Sequence, residues 1–441
     1  MAGSVVLAGP VSTERLDERV ERFERVDPPA AAGFGLRDQV NRLLGLLDRP
    51  LTSYYLILGC TLLLLALGLA MVLSSSEAQA LASIGGSRRP YAVFQKQVLG
   101  AAAGLILMWL AARAKPRLYR AAAYPVLGLT VLALVFVLAF GQEVNGATRE
   151  ITLAGFAVQP SELSKLALVL WGADLLVRKE KMRQLTEWRQ LLIPLLPVTA
   201  FLALLVLLGN DLGTTIILLV IFLTLLWIMG TPSRLFIAML GLMAFVVLVL
   251  IIVEPYRLQR LVGFLNPGAH PQGNGLQEIN GQNALGSGGL FGVGLGATRA
   301  GWGYVPESST DFIFAILGEE LGLIGALSVI FLYGGIAYAG IRIARRMQDS
   351  FMRLAAAGVT LWIIAQALIN IGAVLGLLPI TGIPLPLVSA GLSSLLVTMT
   401  ALGMLMNFAR HEPGAAQALA AAGPGVPRRI LSWLGLGPRR R

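Results

Sequence analysis

Long apolar runs dominate this sequence and leave it few folds to choose from. Crossing a hydrocarbon core of about 30 Å takes roughly 20 apolar residues in a helix. Runs of that order fall at 52–74, 95–113, 121–140, 162–178, 190–209, 212–230, 233–254, 311–340, 352–378 and 385–408, the fourth and sixth being short. Hydropathy therefore predicts an all-α polytopic membrane protein of about ten transmembrane helices. Composition agrees: 56% of the 441 residues are hydrophobic and 13% charged, a balance that excludes a soluble single domain.

Lys and Arg set the expected orientation, because short cytoplasmic loops collect them. Arg15, Arg19, Arg22, Arg25, Arg37, Arg42 and Arg49 precede the first run. Lys115, Arg117 and Arg120 follow the second; Arg178, Lys179, Lys181, Arg183 and Arg189 the fourth; Arg342, Arg345, Arg346 and Arg353 the eighth. All four clusters share one side if ten helices are present, which makes both termini cytoplasmic, with Arg88, Arg89 and Lys96 as exceptions opposite. The net charge of +11 thus belongs to membrane-flanking loops and implies no nucleic-acid partner. The expected organisation is a cytoplasmic N-terminal segment, 1–50, a transmembrane domain, 51–412, and a cytoplasmic tail, 413–441. The N-terminal segment mixes acids with bases and is not a cleavable signal. Leu16, Val20 and Phe23 recur in it at helical spacing, as in a solvated helix or a docking segment. Ile430, Leu431, Trp433 and Leu434 among arginines suit an interfacial anchor.

The longest extracytoplasmic loop, about 255–310, separates helices 7 and 8. A loop of this length without regular structure is usually functional or disordered. Its apolar patches, such as GGLFGVGLG, argue for a segment folded back onto the bundle or dipping into the interface.

With one cysteine, Cys60, and two distant histidines, His270 and His411, the chemistry falls to carboxylates, arginines, hydroxyls, amides or a recruited ion. Asp311 stands where the loop enters the eighth run. Ser308 three residues earlier suits a capping box, so Asp311 reads either as a helix cap or as a base facing a groove. Glu319 and Glu320 would lie about 12 and 13.5 Å further along a continuous helix, where buried carboxylates are costly. Glu162 and Lys165, one turn apart, can pair. Asp174, Asn210, Asp211, Gln366 and Asn370 are further polar residues among apolar helices. Arg257, Arg260 and Arg299 around the loop, with Arg149 after the third helix, suit phosphate oxygens. GSGGLFGVGLG is no phosphate loop, since it lacks the Lys-Ser/Thr ending.

An ordered set of stretches carries a resemblance: NGATREI followed by VQPSELSKLAL, then DLGT, YRLQRLVGFLNP, GSGGLFGVGLG, PESSTDFIFAILGEELGLIG and ALINIGAVLGLLPITGIPLPLVSAGLSSLL. Over residues 52–412 the chain resembles the SEDS family, the FtsW/RodA/SpoVE proteins of bacterial cell-wall synthesis. RPLTSYYLILG, GLAMVLSSS and NFARHEP are more like the division-type members, FtsW, than the elongation-type RodA.

The resemblance implies a ten-helix peptidoglycan glycosyltransferase of the inner membrane, at the division septum, polymerising lipid II on the outer face. It implies a class B penicillin-binding protein, an FtsI-like transpeptidase, as partner, other divisome proteins, membrane lipids and an undecaprenyl-diphosphate-linked glycan. The family's essential acid falls on Asp311, which would deprotonate the acceptor sugar. Glu307 matches the family's PE and would position the base or an ion such as Mg2+ or Mn2+. Arg149, Gln159, Ser161, Glu162 and Lys165 match its polar elements, Ser389, Ser393 and Ser394 its late serine element, and Arg260 suits the diphosphate. The chain departs from the family at Glu150, Ser309, Ala390 and Leu392, where members commonly carry Trp, His, Tyr and Gly. A flippase using Glu162, Lys165, Asp174, Glu319 and Glu320, a non-catalytic scaffold, and a RodA-like elongation polymerase remain alternatives.

Overall fold

The structure is a computed structural model that describes residues 51–82, 91–144, 147–153, 156–182, 188–265, 274–297, 309–415 and 417. Both charged tails, Arg88, Arg89, Arg299, Glu307 and Ser308 lie outside these residues.

The apolar runs become helices: α1 (Thr52–Ala82), α2 (Ala92–Arg113), α3 (Pro116–Phe140), α4 (Pro160–Lys181), α5 (Trp188–Leu192), α6 (Leu195–Leu208), α7 (Leu212–Ile228) and α8 (Ser233–Val253). Two helices of the long loop follow, α9 (Pro255–Leu265) and α10 (Asn274–Ser287), then α11 (Ile313–Arg346), α12 (Ser350–Val374) and α13 (Leu392–Ala409). Among the described residues, eight segments are long and apolar enough to cross a membrane, α5 and α6 together forming one of them, and α7 is a shorter apolar helix. The 22-residue α4 carries Glu162, Lys165, Asp174 and a basic last turn, which dilute its hydropathy, yet most of it is buried. Glu162, Lys165 and Asp174 are buried in the bundle, where partners offset the cost of removing them from water.

Three findings depart from a simple series of spans. Where a plain loop was expected after the third helix, β1 (Gln142–Val144), β2 (Ala147–Leu153) and β3 (Phe156–Val158) form an antiparallel sheet in the order β1-β2-β3. Ile151 pairs with Val158, which brings the chain to Gln159 and the start of α4.

The second departure is α11, which is not one continuous helix: Gly322 has φ 67° and ψ −164°, a conformation that suits glycine. The chain around GGLFGVGLG supplies the bonds that the break would otherwise leave unmade. Val293 N–H donates to Glu319 O at 3.0 Å and Gly294 N–H to Glu320 O at 3.1 Å, while Leu323 N–H donates to Gly289 O at 2.9 Å. The Glu320 side chain accepts from the Ser74 hydroxyl of α1. The folded-back segment expected from the apolar patches is therefore a strap over a broken helix.

Third, the runs expected at 352–378 and 385–408 end and begin elsewhere. Residues 375–391 are almost entirely non-helical, and Leu385, Leu387 and Val388 are nonetheless buried. Pro379, Pro384 and Pro386 remove three amide donors and oppose helix. Irregular backbone inside a bundle must find its partners in the protein. Gln366 Nε2 donates to Pro384 O at 3.0 Å, Asn370 Nδ2 to Ile383 O at 2.8 Å and Gln97 Nε2 to Ser389 O at 3.2 Å. The Tyr333 hydroxyl donates to Pro386 O. α1, α2, α11 and α12 thus enclose this re-entrant segment, and Gly68 of α1 meets its backbone.

Candidate active site

Asp311 lies in a turn, and the helix it precedes begins at Ile313 with Phe312 at the cap position. What fixes the turn is the re-entrant segment. Asn370 Nδ2 donates to Asp311 O at 2.8 Å, and Ser389 Oγ donates to Thr310 O at 2.6 Å while accepting from Leu385 N–H at 2.8 Å. Ala390 N–H donates to Ser309 O at 2.9 Å. Ser309 and Ala390 are thus neighbours beside Asp311.

Gly382 connects the acid to a cation. A Cβ on Gly382 would lie 3.6 Å from Asp311 Oδ2 and 4.0 Å from Arg260 Nη1, so both groups reach over the same α-carbon. Arg260 comes from α9, and its Nη1 donates to Ile380 O at 3.4 Å. A carboxylate and a guanidinium around a bare glycine can take a proton and hold an anionic oxygen side by side. Arg257, one turn earlier on the same helix, donates from Nη1 to Leu250 O at 3.1 Å instead.

Gln159, Ser161 and Ser393 meet at the junction of β3, α4, α7 and α13. Asp211 caps α7, accepting from Thr214 N–H at 2.9 Å, and its Oδ2 accepts from Gln159 Nε2 at 3.1 Å, Ser161 Oγ at 3.0 Å and Thr214 Oγ1 at 2.7 Å. Gln159 N–H donates to Ser393 Oγ at 3.0 Å. Ser394 follows, half-buried, in the first turn of α13, and Arg149 stands half-buried on β2. Asp211 is the hub of this junction; the sequence marked it only as a polar residue among apolar helices, and the Asp-x-x-Thr spacing of DLGT was the signal for its cap.

Glu162 and Lys165 form the anticipated pair: Nζ lies 2.7 Å from Glu162 Oε2, with the side chains 2% and 1% exposed. Nζ also donates to Gln366 Oε1 at 3.0 Å, which accepts from Trp362 Nε1 at 2.9 Å. These groups lie behind the re-entrant segment, engaged with one another. Asp174 belongs to a different cluster, held by Arg120 Nε at 3.1 Å and Arg178 Nε at 2.7 Å. Glu319 and Glu320 are buried under the strap. The acids proposed for a transmembrane path therefore fall into separate, internally bonded groups.

Glu278 on α10 carried no signal in the sequence. It is 4% exposed, its Oε1 lies 3.7 Å from where a Cβ on Gly376 would be, and burial pushes its carboxyl above the ordinary value of 4.5. Its helix also packs Gly281 against the Phe312 ring, next to Asp311. Among the described residues no three His, Cys, Asp or Glu side chains converge as a metal site would need.

Comparison with known proteins identifies the family of the chain. The chain is 42% identical over 410 residues to a probable peptidoglycan glycosyltransferase FtsW of Mycobacterium tuberculosis, covering 92% of this chain and 77% of the relative. It is 37% identical over 356 residues to the stage V sporulation protein E of Bacillus subtilis, covering 80% and 95%. Among solved structures it is similar, at TM-score 0.65 and 28% identity, to a chain of a peptidoglycan synthase complex that coordinates polymerization and crosslinking, covering 80% and 97%. The rod shape determining protein RodA of Thermus thermophilus matches at TM-score 0.60 and 27% identity, covering 81% and 96%. Residues 54–413 match the FtsW/RodA/SpoVE family of cell cycle proteins, and the chain belongs to that family.

Proposed function

We propose that this protein is a peptidoglycan glycosyltransferase that polymerises lipid II on the outer face of the cytoplasmic membrane, in septal synthesis. In this reading α4 and α7 complete ten spans, both termini are cytoplasmic, and a class B penicillin-binding protein crosslinks the strands. The observation that carries it is Asp311 and Arg260 reaching over Gly382, in a chain of a family whose similar members include named glycosyltransferases.

The chemistry follows from those two groups. The Asp311 carboxylate takes the proton of the sugar 4-hydroxyl on the acceptor lipid II. The resulting oxygen forms the new bond to the anomeric carbon of the growing strand. The bond from that carbon to the undecaprenyl diphosphate breaks, and the diphosphate departs with the electron pair. A diphosphate is a good leaving group that needs cations more than a proton, and Arg260 would supply one. Glu307 remains a candidate for positioning Asp311.

The test is polymerisation of lipid II by the purified protein, alone and with its cognate transpeptidase, resolved as glycan chains on a gel. Chains support the reading. Absence of chains with the partner present, together with lipid II transfer between leaflets of a vesicle, would favour a flippase instead.

A further inference from the structure

We propose that Asn370 is a positioning residue for Asp311, holding its backbone against the re-entrant segment; this rests on the reading of Asp311 as the base. Asn370 is 3% exposed, and its one amide nitrogen donates to two carbonyls, Asp311 O and Ile383 O, each at 2.8 Å. The amide orientation is set by these acceptors: reversed, Oδ1 would face two carbonyl oxygens without a donor. Oδ1 itself is buried and makes no hydrogen bond. The side chain's bonded role is therefore confined to joining these two strands of chain.

That junction bears directly on the acid. Asp311 is outside the regular helix, so helical geometry alone does not fix where its carboxylate points. Ile383 is the neighbour of Gly382, over which the Asp311 and Arg260 side chains converge. By bonding both sides of that gap, Asn370 sets the distance between the base and the floor of the site. One turn earlier on the same face of α12, Gln366 bonds Pro384 O at 3.0 Å and the Lys165 ammonium at 3.0 Å, which anchors the segment to the buried ion pair. Ser389 ties Thr310 in the same way and makes the junction two residues wide.

Loss of the amide donor should loosen Asp311. An ångström of misplacement costs about 10²-fold in rate. The decisive variant is Asn370→Leu, close in size and without a donor, measured in the full-length protein with its transpeptidase partner. The expected result is a kcat for lipid II polymerisation lower by about ten- to 10²-fold, with KM for lipid II within about twofold. Asn370→Ser, short but able to donate, should recover part of that loss relative to Asn370→Ala, which differs from it by the hydroxyl alone.

A kcat for Asn370→Leu equal to wild type, or a loss carried by KM, overturns the positioning role. For Asn370→Ser, kcat between wild type and Asn370→Ala supports the role, and equality with Asn370→Ala, which marks a packing defect, overturns it. Asp311→Asn in the same assay separates the two claims. If it polymerises at the wild-type rate, the base reading fails whatever Asn370 does; if it is inactive while Asn370→Leu is unaffected, only the positioning inference fails.

Discussion

Replacing Lys165 by Met would leave Glu162 as an uncompensated buried charge, and the size of the penalty can be worked from its surroundings. Nζ lies 2.7 Å from Glu162 Oε2, and the two side chains are 2% and 1% exposed, so little water can screen the stranded carboxylate. Breaking a buried pair from one side typically costs about 3–5 kcal/mol. Gln366 Oε1 also loses a donor but keeps the Trp362 indole, so that loss is secondary. Neutralising both ends with Glu162→Gln and Lys165→Met should recover most of the stability, because uncharged replacements of a buried pair are often nearly neutral. The pair would then show a coupling energy of about 2 kcal/mol or more in a double-mutant cycle. Chemical unfolding in detergent, followed by intrinsic tryptophan fluorescence, measures each variant. A Lys165→Met protein as stable as wild type, or a double variant no better than the single, would refute the compensated-pair argument. Normal stability with a raised KM for lipid II would return both residues to the substrate site.

Three further expectations follow from other parts of the structure. Gly382→Ala puts a methyl at φ 71°, costing about 1–2 kcal/mol of backbone strain, and Gly382→Val should reduce glycan chain formation further by filling the space between Asp311 and Arg260; equal activity in wild type, Ala and Val proteins contradicts that geometry. Asp211→Ala removes the cap of α7 and the acceptor for Gln159 and Ser161, which should lower stability by at least about 2 kcal/mol, read as a fall in the unfolding midpoint. Glu278→Gln should raise stability near pH 8. Burial holds the Glu278 carboxyl above 4.5, so the fold binds its proton more tightly than the unfolded chain does. The wild-type protein thus loses stability as pH rises above the unfolded value, and the advantage of the variant should vanish as pH falls toward it. An advantage independent of pH would contradict that assignment.

The helices of this protein were legible because lipid-solvated helices need sustained hydropathy, and α1, α2, α3 and α8 lie where their apolar runs predict. The same signal misplaced the ends around 375–391, since a buried re-entrant segment is as apolar as a span. Its three prolines were the local clue, but the groups that satisfy its backbone, Gln97, Gln366 and Asn370, come from distant helices. The break at Gly322 was equally hidden, because its bonds come from a strap near Gly289–Gly294. Within the site, Glu162 and Lys165 declared themselves by spacing, while their third partner, Gln366, lies 201 residues from Lys165. The meeting of Arg260 with Asp311 depends on three segments far apart in sequence, so residue type alone marked Arg260 as a phosphate ligand and no spacing pointed to its partner.

The central claim is that Asp311 removes the acceptor proton. Its most direct test is glycan chain formation from lipid II by Asp311→Asn, compared with wild type at matched folding and matched lipid II binding, both with the transpeptidase partner. The expected result is bound lipid II and no chains. Chains formed at the wild-type rate would contradict it and leave Asp311 as part of the turn that closes the site.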